Sequence, residues 1–330
     1  MRMDREERKM INSPILIVGG GAAGMAAALS ARKRLSKLLP GGEAGNCITV
    51  LERESEPGGV LRQCVHHGFG LTRFSSDLTG MEYMQRFAGP FAASGISFLP
   101  DTSALEAYPD KTLLAVGPKT GRCRIHFEHL ILASGCYERS FQSLTAAGTR
   151  PSGIYTAGEA QYLINRCHAG IGEEAVILGS GDMGQILARR MILEGKKVLA
   201  VIEKNSVCGG LLKNRRDCLE KYRIPVILSS TIASVHGEGR LAGVTVRNIR
   251  TKEEKYISCD TLISAVGLIP ERRILKGLGQ DGRLPDWISL CGNCHHVHKI
   301  VDSVTLQAEE TGKAAAEKLA FSVLSGLSKA

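Results

Sequence analysis

The chain has 330 residues, 43% hydrophobic and 23% charged, which is the balance of a globular protein with room for about two domains and excludes disorder or bilayer insertion as its main state. Its formal charge of +9 suits anionic partners, but Lys and Arg are spread along the whole chain and only eight Phe, seven Tyr and one Trp could stack on bases, which sets nucleic acid aside. Ten dispersed cysteines, a first decapeptide without the apolar stretch of a signal peptide, and no run of about 18 apolar residues point to reduced thiols, a cytoplasmic location and no membrane span.

The first apolar run, Ile15-Leu16-Ile17-Val18, leads directly into Gly19-Gly20-Gly21-Ala22-Ala23-Gly24 and an Ala-rich segment over residues 25–34. This reads as strand, tight glycine turn and helix. A second β-like run at 47–51 ends on Glu52, later than the usual spacing of about 20 residues, and the excess is assigned to a loop insertion over 40–46. The same grammar returns downstream. Ala175-Val176-Ile177-Leu178 precedes Gly179-Ser180-Gly181-Asp182-Met183-Gly184, then a helix is expected over 185–194 and a strand over 197–202 that closes on Glu203.

Each position in such a unit has a physical task. The first glycine permits the turn, the second lets the backbone approach a pyrophosphate, and the third lets helix and strand pack closely. Free N–H groups at the helix start receive the phosphate charge, and the acid at the end of the second strand accepts from a ribose diol while repelling a 2′-phosphate. One glycine loop alone is a weak signal. Two complete units in one chain predict two dinucleotide sites and a relay of reducing equivalents between their cofactors.

In this order the motifs resemble the two-dinucleotide-binding-domain flavoproteins, the pyridine nucleotide-disulfide oxidoreductase superfamily. The resemblance runs from about Pro14 to Ala320 and includes Pro57-Gly58-Gly59 beside the flavin, Leu130-Ile131-Leu132-Ala133-Ser134-Gly135 before the crossover, and the return crossover from Thr261 to Pro270 with Gly267. It implies an α/β fold of two Rossmann-like FAD/NAD(P)-binding domains, the second inserted into the first: FAD on 11–150 plus 265–330, NAD(P) on 151–264. The flavin would be held by Gly19, Gly21, Ala22, Ala23, Gly24, Glu52, Arg53, Gly59, Ala133, Gly135, Gly267, Gly292 and Asn293. The nicotinamide cofactor would be held by Gly179, Gly181, Asp182, Met183, Gly184 and Glu203. Glu203 favours NADH, although Lys204 beside it could meet a 2′-phosphate.

Narrower wording resembles the flavoprotein subunits of glycerol-3-phosphate dehydrogenase-like, opine oxidase and hydrogen cyanide synthase systems. The segments are 58–64, His67-Gly68-Phe69-Gly70, Leu78-Thr79-Gly80, Gly135-Cys136-Tyr137-Glu138-Arg139 and Gly292-Asn293-Cys294-His295-His296-Val297-His298. That implies an oligomer whose partner is a second flavoprotein or an iron-sulfur protein.

The pattern also departs from the superfamily. No vicinal cysteine pair lies beside Gly58-Gly59, and no CxxC follows the second glycine loop, so disulfide reduction is demoted. Cys64 and Cys136 are left as candidate redox thiols, and hydride transfer to a flavin needs no protein nucleophile. Cys291-Gly292-Asn293-Cys294 followed by three histidines reads as a metal site, a redox thiol pair or flavin-lining packing; no metal is assigned. Asn293 stands where the family usually has Asp and keeps an accepting oxygen without the charge. His296 and His298 are either solvated or in contact with flavin. The segment from Val301 to Gly312 would begin a helix pointing at the flavin. The expected activity is an FAD-dependent NAD(P)H oxidoreductase serving an electron-transfer system; the alternative is a non-catalytic FAD-holding component of a partner dehydrogenase.

Overall fold

A computed structural model describes residues 10–39, 46–279 and 283–327, so the expected loop insertion falls, but for residue 46, outside the described residues. The chain forms two compact units, Met1–Tyr137 with Pro270–Ala330, and Glu138–Ile269 inserted between them. Each is an α/β unit built on a five-stranded parallel sheet.

In the first unit the strand order is Ile288–Leu290, His129–Leu132, Ile15–Val18, Ile48–Leu51, Ser97–Leu99. The central strand is a continuous apolar run because both of its faces are covered. Ile15 and Ile17 pack towards the helices, while Leu16 and Val18 face Leu113, Ile125 and Phe127 on the other side. Helix α1 (Ala22–Leu38) starts at once after the glycine turn, earlier than the Ala-rich segment alone suggests. Its buried alanines let the last helix, Val301–Leu327, come very close: a Cβ on Gly312 would stand 2.1 Å from Ala27 O. Helix α2 (Gly80–Ala92) begins with a reciprocal Thr79 and Glu82 capping box and buries Tyr83, Phe87 and Phe91 in the same core.

His129 lies in this sheet, 4% exposed, with Nε2 2.9 Å from Ser289 Oγ. Burial, then the charges of Lys318 and Lys111, pull its pKa down to about 4. An unfolded imidazole has a pKa of about 6.5, so between these values the unfolded chain binds the extra proton and stability falls as pH falls. Stability should be complete above pH 6.5 and lower by about 2 kcal/mol at pH 5. Urea unfolding at pH 7 and pH 5 should show that loss in the wild type and a smaller one in His129→Gln; equal losses would remove this residue as the cause.

The second unit repeats the plan with the order Ile154–Thr156, Thr261–Ser264, Glu174–Leu178, Lys197–Ile202, Val226–Ile227. Ala175 and Ile177 face helices α3 (Ala157–Asn165) and α4 (Asp182–Leu193), and Val176 and Leu178 face a second sheet layer. The boundaries differ from the expected 150/151 and 264/265, falling at 137/138 and 269/270. The reason is packing: Phe141 and Ala146 are buried in the second unit's core, and Ala147–Gly148 pairs with Ser230–His236. At the other end, Arg139 N donates to Gly267 O within the same unit.

Candidate functional site

Both glycine turns lie at the carboxyl ends of the parallel strands, where open α/β sheets bind ligands. Gly19 and Gly179 have φ of +107° and +106°, a conformation that side chains rarely adopt. A Cβ on either would meet the carbonyl oxygen of the neighbouring strand end at 2.4 Å, Ala133 O in one unit and Ala265 O in the other. The third glycines pack still tighter, with an added Cβ 1.7 Å from Gly19 O at Gly24 and 2.1 Å from Gly179 O at Gly184. The second glycines are different. A Cβ on Gly21 would meet only Gly59 Cα at 3.9 Å, and one on Gly181 would meet nothing within 4 Å. The backbone at the second glycine is therefore open in each unit, and the residues fit a dinucleotide.

The acids stand in matching places. Glu52 Oε2 accepts from Gly20 N at 2.7 Å and Oε1 from Glu54 N at 2.9 Å. Glu203 is held more fully: Oε2 accepts from Ser180 N (3.1 Å) and Ser180 Oγ (2.6 Å), Oε1 from Asn205 N (2.9 Å) and Asn205 Nδ2 (2.7 Å). Burial on its own raises the Glu203 pKa, but these hydrogen bonds outweigh it and hold the carboxyl below its ordinary value. Glu203 is thus a fixed negative charge at its strand end.

In the first unit the structure brings together Gly19 to Gly24, Glu52, Gly58-Gly59, Ala133 and Gly292. Gly58 N donates to Gly20 O at 2.9 Å and Gly21 bridges Gly58. Gly292, with φ +67°, leaves room for Ala23, whose Cβ a side chain there would meet at 2.7 Å. Ala133 N is bonded to Val18 O, and Ala133 packs on Gly24. Gly135 O accepts from Glu271 N, and exposed Arg53 contributes to the field that lowers the Glu271 pKa, after the Arg273 hydrogen bond and charge. In the second unit Gly179, Gly181, Asp182, Gly184 and Glu203 form one cradle, Met183 packs against the helix-side core, and Gly267 lies on the return crossover with an open side where a Cβ would meet nothing within 4 Å.

Asn293 does not present its oxygen to open space alone: Oδ1 accepts from His298 N at 3.0 Å, and Nδ2 lies 3.7 Å from Cys136 Sγ. His298 Nδ1 lies 3.4 Å from the same oxygen, so the second lone pair of the amide faces the imidazole. His296 and His298 are stacked at 3.9 Å between ring centroids, and His295 Nδ1 is 2.6 Å from Gln307 Nε2. Burial first, then neighbouring histidines, lowers the pKa of His295 and of His298.

Of the thiol candidates, Cys64 is a packing residue. Burial pushes the Cys64 pKa up to about 12, and its Sγ donates to Val60 O at 3.3 Å, so Cys64 is a protonated core thiol at neutral pH. Cys291 and Cys294 are both fully buried, but Cys291 joins the helix-side core and Cys294 the opposite one, with Cys294 Sγ donating to Leu132 O at 2.9 Å. Burial raises both pKa values. The two thiols thus serve different core clusters, although Cys294 Sγ also lies 3.2 Å from Cys291 O. Among the described residues no group of three or more His, Cys, Asp or Glu is placed to hold a metal. Cys136 is half-buried beside Asn293.

The second cradle has one more part, which the glycine turn and its acid do not announce although the chain carries a signal for it. Glu52 is followed six residues later by Gly58-Gly59, and Glu203 at the same distance by Gly209-Gly210. The repeat therefore extends past the acid. Gly209 N donates to Ser180 Oγ (2.7 Å), Gln185 Nε2 to Gly209 O (2.7 Å), and Leu211 N to Asp182 Oδ1 (2.7 Å), so the segment lies over the start of α4.

Comparison with known proteins agrees with this fold. Thioredoxin reductase of T. acidophilum superposes with a TM-score of 0.72 over 95% of this chain and 99% of its own, at 20% identity. The hydrogen cyanide synthase component HcnB of Pseudomonas aeruginosa is 23% identical over 94% of this chain and 70% of its own length. An opine oxidase subunit of Agrobacterium tumefaciens is 24% identical over 80% of this chain, which spans about half of that protein (54%). The family signature for pyridine nucleotide-disulphide oxidoreductases matches residues 13–284, most of the chain. The protein is an oxidoreductase belonging to the pyridine nucleotide-disulphide oxidoreductase family, which works with FAD and NAD(P)H.

Proposed function

We propose that the chain is an FAD-dependent NAD(P)H oxidoreductase in which the first unit holds FAD, the second holds the nicotinamide cofactor, and NADH is preferred. The observation that carries this is the pair of like-built cradles, each with open space at its second glycine and a buried acid at the end of the next strand. FAD, when bound, supplies the two-electron acceptor. The chain's own part is to hold phosphate on the free amides at the starts of α1 and α4, to engage ribose at the strand ends, and to keep the cofactors in place.

The electrons pass on to a partner, a second flavoprotein or an iron-sulfur protein, in an oligomeric dehydrogenase or oxidase system. HcnB and the opine oxidase relative are both named as subunits of larger enzymes, which supports that part of the reading. A cytoplasmic setting belongs to the same reading, supported by ten cysteines dispersed along the chain. Among the described residues no helix is long and apolar enough to cross a membrane.

The preference for NADH rests on the fixed charge of Glu203, which opposes a 2′-phosphate. Comparing the two reductants by the rate at which each reduces the flavin should show NADH ahead in the wild type. In Glu203→Ala the ratio should narrow by about tenfold, the scale of one lost charge contact. An unchanged ratio would remove Glu203 as its cause.

The alternative, an FAD-holding protein that makes no use of nicotinamide, is favoured by a different observation. All four hydrogen bonds to Glu203 come from the chain itself, which matches the accepting capacity of a carboxylate. Under that reading neither reductant would bleach the flavin.

A further inference from the structure

The segment from Asn205 to Asn214 is held differently from its counterpart in the first unit. There, the matching segment is anchored from below: Leu61 is 3% exposed in the core that also holds Tyr83 and Phe87 of α2, and positions 22 and 23 are alanines that offer the segment no side-chain hydrogen bond. In the second unit the counterpart Leu212 is 81% exposed, and Val207 and Leu211 are also open to solvent. Apolar packing therefore gives this strap little hold.

What holds it is polar. Asp182, the first residue of α4, accepts on Oδ1 from Leu211 N at 2.7 Å and from Asn214 Nδ2 at 2.8 Å. Ser180 Oγ and Gln185 Nε2 secure Gly209 from below. The strap lies so close that a Cβ on Gly210 would be 3.1 Å from Asp182 N, one of the free amides of the helix start. The Asp182 carboxylate also places negative charge where a phosphate group would arrive, and like charges there repel.

We propose that Asp182 is a positioning residue that latches the strap over the second cradle, and that an incoming dinucleotide pyrophosphate releases it by taking over the helix-start amides. The inference rests on the reading that this cradle takes NAD(P)H. It makes Asp182 a determinant that lowers dinucleotide affinity rather than a ligand that raises it. A first-turn Asp does stabilise its own helix, so removing it acts on two quantities that have to be read separately.

Hydrogen exchange of the full-length flavoprotein reads the strap directly, and calorimetric titration with NADH reads the cradle. In the wild type the amides of 209–214 should be protected without NADH and lose protection when it is added. In Asp182→Ala they should exchange about tenfold faster without NADH, and NADH should bind about tenfold more tightly. Asn214→Ala, which removes one of the two hydrogen bonds and leaves the first turn of α4 intact, should show the same changes at smaller size. The proposal is overturned if Asp182→Ala leaves strap exchange unchanged, if NADH increases strap protection, or if the variant binds NADH more weakly while retaining its flavin. If Asp182→Ala and Asn214→Ala both free the strap, yet no form of the protein binds NADH or NADPH, the latch stands and the nicotinamide reading fails.

Discussion

Replacing Gly184 by valine is expected to leave the protein yellow and deaf to NADH. The added Cβ would stand 2.1 Å from Gly179 O and 3.2 Å from Gly179 C, both backbone atoms that no side-chain rotation can clear. Helix α4 must then move off the strand end, and its first amides leave the place where they meet phosphate. Gly184 belongs to the inserted unit, whereas every residue assigned to flavin except Gly267 lies in the other unit, so the ratio of flavin to protein absorbance should not change. The affinity for NADH should fall at least about a hundredfold, since both orientation and charge contacts are lost together. Unaltered NADH binding would show that the second cradle is not where the nicotinamide cofactor sits.

Gly24→Val should do the converse and cost more. Its Cβ would fall 1.7 Å from Gly19 O, and α1 has no room to retreat because the last helix lies against it at Gly312 and Ala27. Overpacking of this kind costs about 1–3 kcal/mol, and the loss of bound flavin adds to it through mass action. The purified variant should be colourless and unfold at lower urea than the wild type. A yellow, equally stable Gly24→Val protein would contradict the assignment of flavin to the first cradle. The two valine variants together separate the sites: each should remove one cofactor, and only Gly24→Val should also remove much of the stability.

How far the sequence announces all this depends on the range over which each feature is determined. The two glycine turns, the flanking strands and the acids Glu52 and Glu203 are legible because each is set by a few consecutive residues whose backbone demands are local. The strand Lys197–Ile202 appears where its apolar run places it. Helices α1 and α4 begin three residues before the expected starts, because the turn's own third glycine is already helical. The segment 138–150 belongs to the second unit rather than the first, and only the buried positions of Phe141 and Ala146 reveal which core it serves. Cys291 and Cys294, which follow the strand Ile288–Leu290, join different core clusters, a partition invisible in their CxxC spacing. The strap over α4 depends on hydrogen bonds between residues 29 positions apart, such as Leu211 and Asp182. Its signal, the doubled Glu and Gly-Gly spacing, is nonetheless present in the chain.

Asn293 illustrates the same limit at one residue. Its type suggests an acceptor for a flavin hydroxyl, and the fold gives that oxygen a bond from His298 N as well. Local type sets what a side chain can do, and neighbours supplied by the fold decide which of those options is used.

The central claim is that one chain holds both flavin and the site that reduces it. It is tested most directly by an anaerobic visible spectrum of the purified protein before and after one equivalent of NADH, with no partner added. The account predicts a yellow protein whose flavin absorbance bleaches on addition of NADH. A yellow protein that stays oxidised with both NADH and NADPH would contradict it.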